Sequence, residues 1–143
     1  MVEASSLREL SIRVRLTETD SFGVVYYANY FVYFDLARLE LLRSLGVTQE
    51  YLAKHHLQFY AAQASCKYHS SAHFDETIKI QSWVSDIGRK SVSYRHKILG
   101  ERGEQLLVEG HVTDVLVDAK QKPAQIPDEL TQKLGAAHIL GQE

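Results

Sequence analysis

Glu18-Thr19-Asp20-Ser21-Phe22-Gly23-Val24-Val25-Tyr26-Tyr27-Ala28-Asn29-Tyr30 brings a carboxylate, a glycine turn and the opening of a helix into one short stretch. Upstream, Leu10, Ile12, Val14 and Leu16 alternate with Ser11, Arg13 and Arg15. That two-residue period predicts a half-buried strand leading to Asp20. Downstream, Tyr30, Phe34, Ala37, Leu41 and Leu45 recur at spacings of three and four, with Phe31, Arg38 and Leu42 widening the stripe. The spacing predicts an amphipathic helix of about four to five turns, stopped at Gly46. The first N–H groups of such a helix have no intrahelical partner and carry partial positive charge, so they can hold an oxygen that becomes negative during a reaction. Asp20 stands beside them as a candidate base or nucleophile. Read alone, it is equally a turn residue that accepts local N–H groups.

Beyond Gly46, Thr48 is a suitable cap for a short second helix reaching about His56. From Gln58 the period changes to two. Tyr60, Ala62, Ala64, Cys66 and Tyr68 form one apolar face, followed by Ile78, Ile80 and Val84, and then by Val92, Tyr94, His96 and Ile98. Gly100-Glu101-Arg102-Gly103 reads as a hairpin turn before a last strand through Leu106, Val108, Val112, Val115, Leu116 and Val117. Pro123 and Pro127 interrupt pairing, and Asp128 to Leu134 is predicted as a terminal helix. Strands that follow a helix with no helices between them favour an antiparallel sheet, so the class is α+β, with a curved sheet wrapped around the first helix.

The chain has 143 residues, the size of one domain, and no internal repeat or low-complexity linker divides residues 1–143. Hydrophobic residues at 45% and charged residues at 24% are values that build a packed core and exclude a disordered or fibrous chain. A net charge of -2 argues against a nucleic-acid face built on bulk positive charge. The single cysteine, Cys66, excludes an internal disulfide and suits a reducing compartment; its place in an apolar register makes it a buried thiol. Met1 to Leu10 carries Glu3, Arg8 and Glu9 where a signal peptide needs apolar residues, and no segment reaches the length of a membrane span, so the expected location is the cytoplasm. The seven histidines make no HExxH motif and no cysteine cluster accompanies them, so no metal is expected.

The run Thr19 to Tyr30, followed by Phe34, Ala37 and Arg38 on a helix, resembles the 4-hydroxybenzoyl-CoA thioesterase family of hotdog-fold proteins. Phe74-Asp75-Glu76 at a strand junction, Gly88-Arg89-Lys90-Ser91 in a hairpin and Ile126-Pro127 near the end extend the resemblance over most of the chain. The resemblance implies a five-stranded antiparallel sheet around a long central helix, paired as a homodimer or homotetramer with active sites at the dimer interface. It implies hydrolysis of an acyl-CoA thioester, with Asp20 as nucleophile or general base and the backbone N–H of Tyr27 polarising the carbonyl. Many bacterial members, especially short-chain acyl-CoA hydrolases resembling those of the Tol-Pal gene neighbourhood, carry histidine where this chain has Tyr27. The hydroxybenzoyl-CoA type carries tyrosine there.

Such a reaction needs an oxyanion site, a positioned carboxylate and a water, and no metal or cofactor. Gly23, Val24, Asn29 and Tyr30 are the expected substrate contacts. Gly23 lets backbone approach a ligand but also serves a plain turn, Asn29 can cap the helix or bind the loop, and the tyrosines serve an acyl pocket or the core. Arg89, Lys90 and Ser91 make a compact basic turn that fits the phosphates of coenzyme A by analogy with the family. Glu18 reads as a solvated or ion-paired carboxylate outside the site, and His69, Ser70 and His73 as surface or strand-end residues that can also reach a partner's site. An acyl-carrier-protein thioester is the alternative substrate. A non-catalytic acyl-thioester binding module is the alternative function, and a hotdog dehydratase lacks its histidine motif here.

Overall fold

The computed structural model describes residues 7–140. Strand β1 (Arg8–Arg13) leads through a loop to helix α1 (Asn29–Ser44) and helix α2 (Gln49–Lys54), then strands β2 (Gln58–Tyr68), β3 (Thr77–Ile87), β4 (Ser91–Leu99) and β5 (Leu106–Val117), and helix α3 (Asp128–Gly135). The strands form one antiparallel sheet in the order β1-β3-β4-β5-β2, with β1 and β2 at its edges. The α+β hotdog architecture expected from the sequence is therefore present, with α1 lying across the sheet.

Helix α1 turns Tyr30, Tyr33, Phe34, Ala37, Leu41 and Leu42 inward, at the spacings of three and four that mark one helical face. Ile78, Ile80 and Val84 of β3, and Val92, Tyr94 and Ile98 of β4, meet them from the sheet, so the period-two reading of these strands holds. Thr48 caps α2 through its hydroxyl, which accepts the Tyr51 N–H at 3.1 Å. Phe34 is the deepest contact between the layers. Its ring stacks on His96 at 4.9 Å and 7° and lies over Gly110, where a Cβ would collide with three ring carbons. Arg38 reaches Asp114 on β5 at 3.3 Å, one turn further along α1.

Two expectations are corrected. β1 ends at Arg13, and the chain bends into a single 3-10 turn at Leu16–Glu18 that leaves Leu16 69% exposed. Val14 keeps the strand's period because it still pairs outside the ladder, its N–H with Glu76 O at 2.9 Å and its carbonyl with Asp75 N–H at 3.0 Å. On β2 a register shift between Ala61 and Gln63 inserts Ala62 as a bulge. A bulge exchanges the faces of a strand, so Phe59, not Tyr60, packs into the core on one side of it and Cys66 on the other. Cys66 is half-buried, and burial pushes its thiol up, as an unreactive cysteine requires.

Polar residues also enter the core. Ser82 Oγ and His96 Nδ1 share a buried hydrogen bond of 2.6 Å, while His96 Nε2 has no partner among the described residues. Burial, with Arg38 and His111 adding to it, pulls the imidazole down to about 3. The unfolded imidazole titrates near about 6.5, so below that pH the unfolded chain takes a proton that the folded chain refuses. This contribution is complete above pH 6.5 and is lost as pH falls toward 3. Urea unfolding should show a His96-dependent loss of about 2 kcal/mol between pH 6.5 and 5, absent from His96→Gln. Gly110→Ala is expected to lower stability by on the order of 3 kcal/mol, read as a fall in Tm, because the Phe34 ring has nowhere to move. An unchanged Tm would show that the two layers can separate locally without cost.

Candidate active site

The loop between β1 and α1 is built almost wholly from backbone hydrogen bonds. Asp20 N–H donates to Val24 O at 2.9 Å and Gly23 N–H to Asp20 O at 3.1 Å, closing a turn in which Gly23 adopts φ +77. Asp20 Oδ1 accepts the Phe22 N–H at 2.8 Å, which anchors the carboxylate through one of its two oxygens. The turn reading of Asp20 is thus true of one oxygen. The loop docks on the segment before β3: Val25 N–H donates to Ala72 O at 2.9 Å, and Phe74 N–H to Gly23 O at 3.0 Å.

Helix α1 starts at Asn29 with Ala28 as its cap, so Tyr27 sits just before the helix. The carbonyl of Tyr26 accepts the Asn29 N–H at 2.8 Å. That carbonyl belongs to the same planar peptide as the Tyr27 N–H, so the bond sets the direction in which Tyr27 N–H points. The next peptide is held as well, because the Tyr68 hydroxyl on β2 donates to Tyr27 O at 3.0 Å. Tyr68 and Tyr27 meet edge to face at 6.4 Å, and Tyr68 and Tyr30 at 5.6 Å. Burial, with the hydrogen bond to Cys66 adding to it, pushes the Tyr68 hydroxyl up to about 12, so it stays a donor near neutrality.

A cavity of about 300 Å³ opens beside these rings, lined by Val25, Tyr27, Tyr30, Tyr68, His69, Ser70 and Ser71. Tyr30 is buried and its hydroxyl accepts the Ala72 N–H at 3.0 Å. Burial raises that hydroxyl's pKa against the pull of the Ala72 N–H, and Cys66, Glu76 and Asp20 push it in the same direction. A peptide N–H of fixed direction thus borders a hollow lined with tyrosines, and the Asp20 turn lies on the same loop, seven residues before Tyr27.

The other expected contacts divide. Tyr30 lines the cavity, while Gly23 shapes the turn and Val24 bridges to His73. Asn29 Nδ2 donates to Glu18 O at 2.8 Å, so its amide holds the loop. His69 and Ser70, read as surface residues, line the cavity, and His69 Nε2 pairs with Glu109 at 2.8 Å. Tyr68 and Ser71 were missed, although an aromatic residue ending a strand face was a visible signal for Tyr68. The Arg89-Lys90-Ser91 turn is not with them. It joins β3 to β4 at the end of the sheet remote from the Asp20 loop, separated from it by the roughly 33 Å length of β3. Among the described residues no three His, Cys, Asp or Glu side chains converge as a metal site would require.

Known proteins resemble this chain in sequence and in fold. The Acyl-CoA thioester hydrolase YbgC of Escherichia coli is 31% identical over 117 residues, 81% of this chain and 87% of that protein. The Putative acyl-CoA thioesterase YneP of Bacillus subtilis is 30% identical over 115 residues, 80% and 83% of the two chains. The crystal structure of a Probable Thioesterase from Bartonella henselae superimposes with a TM-score of 0.78 at 28% identity, covering 85% of this chain and 99% of that one. Residues 14–134 match the family described as the Thioesterase-like superfamily, and with this geometry and these relatives the chain belongs to that superfamily.

Proposed function

We propose that this protein hydrolyses acyl-CoA thioesters with Asp20 as nucleophile or general base and the Tyr27 N–H as oxyanion donor. That it is a thioester hydrolase follows from its family and from relatives named for that activity. What supports the residue assignment is that one loop carries both an Asp20 carboxylate anchored by the Phe22 N–H and a Tyr27 peptide fixed through Asn29 beside the tyrosine-lined cavity. The thioester carbonyl would accept from Tyr27 N–H. Either Asp20 adds to the carbonyl carbon and water then opens the mixed anhydride, or Asp20 takes a proton from water as it adds. In both routes the C–S bond breaks, the thiolate leaves and is protonated, and the acid is released. A donor aimed at the developing charge is worth about 3 to 4 kcal/mol and a general base roughly 10²–10⁴-fold, enough for an activated ester. Tyr27, Tyr30 and Tyr68 present ring surface that suits aromatic or short- to medium-chain acyl groups.

The functional unit in this reading is a dimer. Val32, Leu36 and Leu39 form an i, i+4, i+7 stripe on the outer side of α1, exposed by 51%, 42% and 37%. The unpaired edge of β2 lies at one border of the sheet and carries exposed Tyr60 and Tyr68. Two β2 edges pairing antiparallel about a twofold would cover both features. Gln58 and Ser91 lie at one end of the sheet, opposite Val117 and Val115 of β5, and Tyr68 at the other. The twofold would therefore carry the basic turn of one subunit to the Asp20 end of its partner, where Arg89, Lys90 and Ser91 could hold coenzyme A phosphates.

Thiol release from a panel of benzoyl-type, short-chain and long-chain acyl-CoAs tests the chemistry. Asp20→Asn is expected to keep the fold and lose kcat by at least about 10²-fold; comparable turnover in the variant would remove Asp20 from its role. Subunit mixing tests the assembly. Asp20→Asn and an Arg89→Ala, Lys90→Ala double variant, each impaired alone, should regain activity when refolded together, because one site of the mixed dimer combines an intact Asp20 with an intact basic turn. Failure to recover would place the coenzyme contacts elsewhere.

A further inference from the structure

Helix α1 sends two polar groups back to the loop that precedes it and a third to the segment before β3 on which that loop docks. Asn29 Nδ2 reaches Glu18 O, the Tyr30 hydroxyl reaches Ala72 N–H, and the buried Tyr33 hydroxyl donates to Glu18 Oε1 at 3.0 Å. Two of the three end on Glu18. Its carbonyl also accepts the Tyr26 N–H at 2.9 Å, and its carboxylate accepts the Arg15 N–H at 2.8 Å and Arg15 Nε at 2.9 Å, with Arg15 Nη2 at 2.9 Å. One residue therefore ties the end of the β1 segment, the loop and the first two turns of α1 together.

We propose that Glu18 is a positioning residue that, through Tyr33 and Arg15, locks the Asp20 turn and the Tyr27 peptide at one height above α1. The bonds within the turn shape it without fixing it to the helix: Asp20 N–H to Val24 O and Phe22 N–H to Asp20 Oδ1 both close within five residues. Beside the indirect link that runs from Tyr30 through Ala72 to Val25, Glu18 supplies a direct one. Its carbonyl holds Tyr26, whose own carbonyl orients the Tyr27 N–H, and its carboxylate lies two residues from Asp20. Tyr33 sets the height, since a fully buried ring on a rigid helix cannot follow a drifting loop. Charge-assisted bonds are short and directional, which is what a distance tolerance below an ångström demands. Burial works against the ionised carboxyl of Glu18, but the bonds from Arg15 and Tyr33 outweigh it and hold its pKa below the usual range. Burial and Glu18 push the Tyr33 hydroxyl well up, so it remains a donor. The lock is then closed throughout the neutral range.

This inference rests on the assignment of Asp20 and Tyr27, and the experiment separates the two. Glu18→Ala, Glu18→Gln and Tyr33→Phe are compared with wild type in steady-state hydrolysis of an acyl-CoA and in amide hydrogen exchange. Glu18→Ala and Tyr33→Phe should lose kcat by about tenfold to a hundredfold with KM little changed. Glu18→Gln, whose amide oxygen can accept the Arg15 N–H and the Tyr33 hydroxyl while its amide nitrogen cannot accept from the Arg15 guanidinium, should recover part of it. Exchange should quicken at Tyr26 N–H and its neighbours while the centre of α1 stays protected. Undiminished kcat, a loss carried by KM, or a Glu18→Gln as impaired as Glu18→Ala would each overturn the proposal. If wild type hydrolyses no acyl-CoA, the thioesterase assignment fails and exchange alone decides the lock: faster exchange at Tyr26 in Tyr33→Phe upholds it, and unchanged exchange overturns it.

Discussion

Phe34 lies against the floor of the sheet because Gly110 has no side chain to hold it away. That contact fixes how close α1 comes to β5. The stacked His96 and the Arg38–Asp114 pair repeat the link on either side of it. Burial raises the Asp114 pKa against the pull of Arg38, so the pair contributes orientation more than stability. With the helix set at this depth, Tyr30 is carried inward far enough to reach Ala72 before β3 and Tyr33 to reach Glu18 of the preceding loop, and Val32, Leu36 and Leu39 form the exposed outer stripe. The site is thus a consequence of a packing distance chosen one helical turn away from it.

In the proposed function, the oxyanion is held by the backbone. Peptide groups have fixed internal geometry, so two hydrogen bonds are enough to aim a third group: Asn29 to Tyr26 orients the Tyr27 N–H, and Tyr68 to Tyr27 secures the adjoining plane. A donor of this kind does not depend on the side chain that accompanies it. The proposed role of Tyr27 therefore leaves the identity of its side chain open to variation.

The strand pattern of β3 and β4 and the stripe of α1 were legible because both are buried on one continuous face, where the period of the backbone and the period of the core coincide. The same reasoning ran past Arg13, since Val14 stays buried and paired after the strand has ended. It misassigned Tyr60 because nothing in a run of alanines announces an inserted residue. In the site, Asp20 and the turn at Gly23 could be read from local chemistry. Tyr33 could not: an aromatic residue in a helical stripe looks like core, and it is core, with one oxygen that meets a carboxylate fifteen positions upstream. The basic turn was legible as a turn, while its distance from Asp20 depends on the order of strands in the sheet.

The Phe22 side chain takes part in none of the bonds described. Phe22 sits at the tip of the turn, 86% exposed, contributing only its N–H to the Asp20 carboxylate. Its ring is unconstrained by the fold, next to the group assigned to the reaction. A position of that kind can change size, polarity or charge without a penalty in folding, so it is where new acyl preferences can arise by single substitutions while the scaffold beneath stays constant.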